Sequence, residues 1–498
     1  MSRLIRAAAA LCLGLSACSS GAAEPGAVAP EPAAPAVPDR SADGTRPDII
    51  VINLDDADPS LIGSDAMQAH FPNMARLLDD EGLRFDRFYA ADPLCGPSRA
   101  SLLRGQYPHN TGITLNGRGP ADNGAVGSFE LYWEKGYPED DLPVWLDDAG
   151  YVTALVGKYL HEEFPRATGD NAYVPPGWDD FRASLGGKYL ETYQSHNGSF
   201  GPLESGIFRT DDETASAVEI IGTHAAERDL FLYLAPFNPH GGQPQIYADR
   251  HADAFEGATV ERTPDYDEAD LSDKPALYQG LGPLTEGEMG RFDATHRDRL
   301  RSLLSVDEMI GDVFAALEAA GTLDETYIFF TSDNGFQLGH HRMVAKNAHF
   351  ERSSNVGLVA RGPGIAPGTS DALLVHIDLT ATVLDLADVP IPDFVDGRSF
   401  APLLRGDELA DRPGGILLEH REAITLRNME MPQDYVALRR GDEIYVEHEN
   451  GEREWYDLAA DPFQLENGYE SLPSDVQAEL ASALAALKDC TGTACWAG

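Results

Sequence analysis

DIIVINLDD (residues 48–56) is an apolar run that ends in two adjacent aspartates. A strand with one face in water alternates apolar and polar residues, whereas an unbroken apolar run fits a strand buried on both faces. The run therefore predicts an inner strand of a parallel sheet, with two carboxylates at its carboxyl end.

Similar apolar runs recur at residues 153–157, 230–235, 327–331 and 356–360. Helical patterns lie between them, and the clearest extends from about residue 296 to residue 319. Strands that alternate with helices predict an α/β protein whose central, mostly parallel sheet is covered by helices on both faces. We therefore expect functional residues at the carboxyl ends of the strands.

Polar side chains directly follow these predicted strands, and we expect them to meet at one edge of the sheet. In chain order they are Asp55, Asp56, Lys158, His240, Ser332, Asp333 and Asn334. Carboxylate and amide oxygens are the ligands that Ca²⁺ and Mg²⁺ prefer. Asp55-Asp56 alone is more often a solvated turn or a helix cap, and Asp333-Asn334 alone is more often a turn, so it is their joint placement at strand ends that favours a metal site.

The chain is strongly acidic, with 37 Lys+Arg against 82 Asp+Glu in 498 residues and a formal net charge of −45. Nucleic acid is excluded as a partner, because neutralising phosphates requires clustered Lys and Arg. An anionic small substrate is not excluded, since salt screens charges beyond about 10 Å and a basic pocket can persist locally. With 43% hydrophobic residues the chain can bury a large core.

The N-terminus has the pattern of an export signal. Residues 1–18 contain Arg3 and Arg6 and then an Ala/Leu run too short to span a membrane. The sequence Leu-Ser-Ala-Cys at residues 15–18 resembles the lipobox of bacterial lipoproteins, which implies lipidation of Cys18 and a cell-membrane, extracytoplasmic location. An ordinary cleavage site with an incidental cysteine is the alternative. Residues 19–45 are rich in Ala and Pro and predict a flexible tether, whose clipping would release the protein.

The composition changes near residues 387–400, where Pro and Gly interrupt regular structure. We place the boundary of the catalytic domain there, at 46–388, and predict a smaller α+β subdomain over 389–498. Short strand-like runs at 416–418, 435–438 and 443–447 precede a predicted helix at 476–488. Cys490 and Cys495 lie close together near the C-terminus, and an oxidising compartment would allow them to pair.

PLCGPSRASLLRG (residues 93–105) resembles the signature of type I sulfatases, in its C-x-P-S-R core and in the Leu-Leu-x-Gly that follows. The resemblance implies an alkaline-phosphatase-like fold and oxidation of Cys95 to formylglycine by a formylglycine-generating enzyme. One hydroxyl of the hydrated aldehyde would attack sulfur, and the other would later expel sulfate. A buried structural cysteine before a helix starting near Pro97 is the alternative interpretation of Cys95.

The resemblance extends from about Asp48 to the C-terminal tail and implies a set of metal ligands. Asp55 and Asp56 match the family's first metal motif, and Asp333 and Asn334 match the second. Together with the modified Cys95 they imply a site for one divalent cation, Ca²⁺, with Mg²⁺ as the alternative ion. The cation would offset repulsion between sulfate and the nucleophile.

Five further residues match catalytic positions of the family. Arg99 would steady the nucleophile, and Lys158 would contact sulfate and formylglycine. His240 would protonate the leaving oxygen, and Lys346 would bridge sulfate to the leaving group. His161 would remove the second diol proton, although the branch with Gly-Lys-Tyr-Leu more commonly has asparagine there, so a histidine that only lines the pocket is the alternative.

Several stretches, including VPPGWDDF (174–181), LSDKP (271–275) and the C-terminal CTGTACW, look like those of N-acetylglucosamine-6-sulfatases and heparan endosulfatases. They imply a sulfuric ester hydrolase acting on a sulfated saccharide, 6-sulfated N-acetylglucosamine or glucosamine. A phosphonate monoester hydrolase or phosphodiesterase on the same fold is the nearest rival. A catalytically silent lipoprotein that binds sulfated glycans is the rival from another class.

Overall fold

The computed structural model describes residues 46–117, 128–161, 167–242, 245–410, 412–421, 423–426, 429–432 and 434–496. The predicted signal peptide (1–18), its lipid-bearing Cys18 and the predicted tether (19–45) lie outside the described residues. Over these described ranges, every helix is too short or too polar to cross a bilayer.

The elements alternate along the chain as the apolar runs predict. The strands are β1 (Asp48–Leu54), β2 (Leu83–Phe85), β3 (Phe88–Tyr89), β4 (Val152–Gly157), β5 (Asp180–Leu185), β6 (Tyr193–His196), β7 (Ser199–Pro202), β8 (Leu230–Ala235), β9 (Thr326–Ser332), β10 (Gln337–Leu338), β11 (Val344–Ala345), β12 (Leu358–Arg361), β13 (Gly368–Ser370), β14 (Leu374–Val375), β15 (Ile416–His420), β16 (Ala423–Leu426), β17 (Met429–Pro432), β18 (Tyr435–Arg440), β19 (Glu443–His448) and β20 (Arg453–Asp457). The α-helices are α1 (Pro59–Ile62), α2 (Ser64–His70), α3 (Pro72–Met74), α4 (Cys95–Arg104), α5 (Pro108–Thr111), α6 (Ser128–Glu134), α7 (Leu142–Asp148), α8 (Arg209–His224), α9 (Ala276–Gln279), α10 (Glu286–Ala320), α11 (Glu351–Ser354), α12 (Ile377–Leu386), α13 (Ala401–Leu404) and α14 (Ser474–Lys488). Short 3₁₀ turns lie at Tyr137–Glu139, Asp249–His251, Leu323–Glu325, Tyr469–Ser471 and Gly492–Trp496, and a π-helical turn lies at Ala75–Asp79.

The main sheet has ten strands in the order β13-β2-β12-β9-β1-β8-β4-β5-β6-β7. Its inner strands β9, β1, β8, β4 and β5 run parallel, which confirms the predicted α/β class. Its flanks contain antiparallel pairs, β2-β12-β9 on one side and β5-β6-β7 on the other. The run predicted at 356–360 forms β12, which therefore enters the sheet antiparallel to β9.

The packing on both faces of strand β1 explains why its sequence is apolar without interruption. Ile49 and Val51 pack in one buried cluster with helices α4 and α12, whereas Ile50 and Ile52 pack in a second cluster with α8 and α10. Neighbouring side chains of a strand point to opposite faces, so a helical layer on each face requires apolar residues at every position. Each fully buried isoleucine contributes about 1.5–3 kcal/mol.

Helix α10 starts at Glu286, about ten residues before the start predicted from apolar spacing. Thr285 and Glu288 form a capping box, in which the Thr285 side chain accepts from the Glu288 amide and the Glu288 carboxylate accepts from the Thr285 amide. Capping rather than an apolar stripe sets this helix start, because the first turns have few apolar residues.

The C-terminal part forms a smaller sheet in the order β15-β18-β19-β20, with helix α14 packed on it. Three of these strands and the helix match the predicted runs, and β20 is additional. Ala401 and Leu404 still pack in the core of the main sheet, and Ile416 is in the C-terminal core. The domain boundary at residues 388 and 389 stays a prediction.

Candidate active site

Four loops meet at the carboxyl ends of β1, β4, β8 and β9. Backbone hydrogen bonds continue beyond the strands and join the loops: the Asp55 amide donates to the Asn238 carbonyl (3.0 Å), and the Lys158 amide donates to the Ala235 carbonyl (2.8 Å). The Asp333 amide donates to the Leu54 carbonyl at 3.1 Å. The side chains that follow the strands are therefore held at one edge of the sheet, as expected from parallel strand ends.

Helix α4 delivers Cys95 to this edge. The helix begins at Cys95 itself rather than near Pro97, because a proline in the first turn loses no intrahelical hydrogen bond. Every residue of the helix is buried. The Gly96 amide donates to Asn116 Oδ1 at 2.6 Å, and a Cβ at Gly96 would lie only 2.6 Å from Ser128 Oγ. Only glycine therefore fits at this position without displacing a neighbour.

The thiol of Cys95 is fully buried among charged groups. Its Sγ lies 3.3 Å from Asp55 Oδ1 and contacts the Lys346 ammonium. Burial first, and then the negative charge of Asp55, raises the pKa of the thiol to about 12. An unmodified Cys95 is therefore a neutral thiol, and it makes a poor nucleophile at physiological pH.

Two lysines pair with the two aspartates that follow β1. Lys158 Nζ contacts Asp55 Oδ2, and Lys346 Nζ contacts Asp56 Oδ1. Burial would raise the pKa of both carboxyls, but the neighbouring cations outweigh it. Lys158 is the strongest of these for Asp55, whose pKa lies well below its ordinary value, and Lys346 is the strongest for Asp56. Both aspartates are therefore ionised and able to bind a cation.

Arg99 cross-links three of the four loops from below. Its Nε donates to Asp333 Oδ2 at 2.8 Å, its Nη1 to the Lys158 carbonyl at 3.0 Å, and its Nη2 to the Leu54 carbonyl at 3.2 Å. The side chain is fully buried. Such a network fixes the spacing of the loops as well as balancing the charge of Asp333.

The donor set fits a hard divalent cation. Ligand atoms of Asp55, Asp56, Cys95 and His240 all lie within 4.8 Å of one another. Asn334 donates through Nδ2 to Asp56 Oδ1 at 2.7 Å, while its buried Oδ1 has no hydrogen-bond partner among the described residues. This oxygen is therefore available to a metal ion.

The charges of the site balance before any metal is added. The carboxylates belong to Asp55, Asp56 and Asp333, and the permanent cations belong to Arg99, Lys158 and Lys346. A divalent cation would therefore change the net charge from zero to +2 and convert a neutral cluster into a binding site for an anion.

His240 is partly exposed and faces the cluster at Asp56, and the more deeply buried His161 lies beside Lys158. His240 Nδ1 lies 2.7 Å from the Gly241 carbonyl, which can only accept, so Nδ1 carries a proton and Nε2 faces Asp56 at 3.7 Å. Burial and then Lys158 lower the pKa of His161 to about 3, which leaves a neutral imidazole. His161 lines a small cavity together with Lys158 and Phe237.

All the residues predicted for the site lie in or beside this cluster, and three further side chains support it. They are Asn116, which holds the Gly96 amide, Arg209, which stacks on Phe237, and Arg299, which donates to the Asp56 carbonyl. These residues follow no strand and belong to no quoted motif. Their positions depend on tertiary contacts, and sequence spacing alone gave no signal for them.

A family model described as Sulfatase matches residues 47–389, and one described as "N-sulphoglucosamine sulphohydrolase, C-terminal" matches residues 339–489. The chain is 31% identical over 502 residues to an arylsulfatase of Volvox carteri, covering 90% of this chain and 76% of that protein. It is 29% identical over 488 residues to the N-acetylglucosamine-6-sulfatase of Capra hircus, covering 90% and 85%.

Among solved structures, one in complex with its substrate D-glucosamine-2-N,6-O-disulfate superposes with a TM-score of 0.69 at 25% identity. The match covers 88% of this chain and 97% of that chain. This similarity confirms the alkaline-phosphatase-like class of the fold.

Proposed function

This chain belongs to the sulfatase family, and we propose that it removes sulfate from a 6-sulfated N-acetylglucosamine or glucosamine. The observation that carries the proposal is the meeting of the Cys95 helix with Asp55, Asp56, Lys158 and Lys346 at one sheet edge. The similarity to an N-acetylglucosamine-6-sulfatase and to a structure that binds D-glucosamine-2-N,6-O-disulfate supports the choice of a sulfated glucosamine as substrate. The reaction class is that of a sulfuric ester hydrolase.

We propose that Asp55, Asp56, Asp333, Asn334 and residue 95 bind one Ca²⁺, with Mg²⁺ as the alternative. When bound, the ion supplies positive charge against the sulfate oxygens and favours ionisation of the nucleophile. Three carboxylates, an amide oxygen and a compact buried cluster suit a hard cation better than a soft one. The buried Oδ1 of Asn334, which lacks a protein partner among the described residues, supports this assignment.

We propose that Cys95 acts as a formylglycine, whose hydrate supplies one hydroxyl to attack sulfur and a second to expel sulfate afterwards. The chain would depend on a formylglycine-generating enzyme as its partner. The raised pKa of the unmodified thiol, about 12, supports this, because such a thiol is a weak nucleophile. Lys158 and Arg99 would hold the sulfate and the oxygens of residue 95 in place.

His240 and Lys346 would act on the departing alcohol. With Nδ1 bound to the Gly241 carbonyl, the protonated His240 ring can donate only from Nε2, the nitrogen that faces the site. Lys346 Nζ lies between Asp56 and Cys95, where it can bridge the sulfate to the leaving oxygen. The resemblance gives His161 the role of accepting a proton from residue 95, but a pKa of about 3 makes its imidazole a weak base and favours the alternative, a histidine that only lines the pocket.

The test combines intact mass with substrate specificity. In protein from a host with the modifying enzyme, the peptide containing residue 95 should lose the thiol mass and carry an aldehyde that reacts with a hydrazide probe. The same preparation should release sulfate from glucosamine-6-sulfate and N-acetylglucosamine-6-sulfate. Cys95→Ala, expressed in parallel, should lose at least 1,000-fold in kcat. Undiminished turnover by that variant would overturn the proposal.

The same assay separates the rivals. Equal or faster turnover of phosphonate monoesters or phosphodiesters than of any sulfate ester would favour the phosphoryl-transfer enzyme. An unmodified thiol in protein from its natural host, combined with sulfated-glycan binding and no sulfate release, would favour the silent binding protein. The set Lys158, His240 and Lys346, which matches the sulfatase pattern, favours sulfate release.

We also propose that the protein is exported and lipidated at Cys18. The disulfide between Cys490 and Cys495 supports an oxidising, extracytoplasmic compartment. Metabolic labelling with a radioactive fatty acid should mark the full chain and leave Cys18→Ala unlabelled. Label retained by that variant would place the lipid elsewhere.

A further inference from the structure

A second cluster of metal-ligating side chains is buried away from the active site, against the C-terminal sheet. His349 lies in the loop between Lys346 and helix α11, whereas His448 ends β19 and Glu454 lies in β20. Val446 pairs with Glu454, so His448 and Glu454 are diagonal neighbours on one face of the hairpin. The fold thus brings one histidine from the catalytic domain onto two ligands from the subdomain.

The three donor atoms lie at ligand spacing. His448 Nε2 lies 2.6 Å from Glu454 Oε1, and His349 Nε2 lies 3.4 Å from the same oxygen. One donor atom of each residue lies within 4.8 Å of the others. All three residues are buried, and His349 and Glu454 are completely inaccessible.

His349 is the residue that calls for a further ligand. Among the described residues, its Nδ1 has no hydrogen-bond partner, and its Nε2 meets only Glu454 Oε1, at 3.4 Å. Its neighbours are largely aromatic, with the rings of Phe350, Tyr435 and Tyr456 at 4.2, 5.5 and 6.4 Å. A buried imidazole surrounded by rings leaves its polar atoms unsatisfied unless something else binds them.

We propose that His349, His448 and Glu454 bind a second divalent cation, of the Zn²⁺ type. Two imidazoles and a carboxylate form a borderline-soft donor set that suits Zn²⁺, in contrast to the oxygen-rich set around Asp55 and Asp56. Glu454 Oε2 accepts a hydrogen bond from Tyr456, which is the kind of outer contact that orients a ligating carboxylate. A buried water would complete the coordination.

Such an ion would connect the C-terminal sheet to a loop that also carries an active-site lysine. His349 is three residues from Lys346, and the Lys346 ammonium contacts both Asp56 and Cys95. The site would therefore fasten the loop that carries Lys346 to strands β19 and β20. The assignment does not depend on the proposed reaction, because it rests on ligands outside the active site.

The test measures metal content and needs no activity assay. Protein expressed with ample zinc and passed through a mild chelator in the presence of Ca²⁺ should retain about one zinc per chain by mass spectrometry. His448→Gln and His349→Gln should each lose at least ten-fold in zinc affinity. The matched control is His420→Gln, which removes another buried histidine, paired with Asp92 at 2.8 Å, and should retain zinc. Cys95→Ser should also retain zinc, so the result is separate from any failure of the sulfatase proposal.

A second measurement uses the unaltered protein and remains decisive if the histidine variants do not fold. After zinc is stripped, Co²⁺ should produce visible absorption bands of a low-symmetry nitrogen and oxygen site, and added Zn²⁺ should abolish them. Zn²⁺ should also raise the melting temperature at saturating Ca²⁺. Absence of retained zinc, of Co²⁺ bands and of thermal stabilisation would overturn the proposal, and zinc retained equally by both histidine variants would as well.

Discussion

His240 has only one nitrogen free for chemistry, because the other is committed to a backbone carbonyl. A sugar alkoxide is a poor leaving group and needs that proton, whereas a nitrophenolate leaves without one. We therefore expect His240→Ala to lower kcat for glucosamine-6-sulfate by about 10²–10⁴-fold, with a much smaller loss for 4-nitrophenyl sulfate. Rates on both substrates at one pH test this, and an equal loss on both would argue against proton donation.

His376 contacts Ser98 of helix α4 and should make the protein sensitive to acid. Its Nε2 lies 2.8 Å from Ser98 Oγ, and burial lowers the pKa of His376 to about 3. The folded state keeps this ring neutral while the unfolded state takes up a proton below about pH 6.5. The unfolded state thus binds more protons between pH 3 and 6.5, and stability falls as pH decreases through that window.

His376→Gln removes the one proton by which, at this residue, the unfolded state exceeds the folded state. Between pH 4 and 6 the slope of unfolding free energy against pH should decrease by about 1.4 kcal/mol per pH unit. Urea unfolding at several pH values measures the slope. An unchanged slope would mean that His376 is already protonated in the folded protein.

At the scale of elements, the sequence predicts the central strands β1, β4, β8 and β9 but misses the inner strand β5 and the edge strands β6 and β7. β1 and β8 are fully buried, so their composition alone identifies them. β6 and β7 form the outer edge, where Tyr193 and Phe200 are exposed and no apolar alternation marks a strand. Pairing of β6 with β5 and of β7 with β6, rather than local composition, determines that these segments are strands.

Helix α10 also reaches the active site through one side chain that no motif marks. Arg299 donates to the Asp56 carbonyl, lies 3.7 Å from Asp58 and stacks on Phe336 at 4.7 Å. Asp56 has a φ of 69°, an uncommon conformation for aspartate, so its backbone needs support from neighbours. Arg299 is therefore a positioning residue for a proposed metal ligand.

Arg299→Gln should weaken the binding of Ca²⁺ to the active site by about 10–100-fold, as for other residues that orient metal ligands. Activity measured against free Ca²⁺ should show this increase in Ca²⁺ requirement, with kcat largely recovered at saturation. Arg301→Gln is the control, since Arg301 lies on the same helix and donates to the Ala254 carbonyl instead. An identical Ca²⁺ dependence in all three proteins would contradict this role.

For the whole molecule, the site is predictable from sequence because parallel strands bring distant loops to one edge. Asp56 and Asp333 are far apart in the chain, yet β1 and β9 are neighbours and place them together. The positions of Asn116 and Arg299 are not predictable in this way, because neither residue directly follows a strand and only tertiary packing brings it to the site. Strand order determines where the residues at the strand ends lie, and side-chain packing determines where Asn116 and Arg299 lie.

The C-terminal disulfide closes a short turn that is hydrogen-bonded to a distant part of the chain. The Cys490 carbonyl accepts hydrogen bonds from Asn110 Nδ2 at 2.8 Å and lies 3.0 Å from His109 Nε2. Asp396 accepts from the Gly492 and Tyr107 amides, at 2.6 and 2.8 Å. The turn closed by the disulfide thus contacts the segment that follows helix α4.

Replacing both cysteines, Cys490→Ala with Cys495→Ala, should reduce the free energy of unfolding by about 2 kcal/mol through loop entropy. Amide exchange should accelerate in residues 107–112, which the turn contacts, and remain unchanged in β1. Urea unfolding and hydrogen–deuterium exchange measure the two effects. Protection in residues 107–112 identical to that of the parent protein would contradict the predicted coupling.

The complete burial of the Cys95 side chain has a consequence for the order of events in biogenesis. Another protein cannot reach a side chain that has no surface, so the proposed oxidation would have to be complete while the chain is still extended. Copies that fold first would be permanently idle, and later exposure to the maturation machinery would not rescue them. Specific activity would then be determined during synthesis, by the race between oxidation and folding.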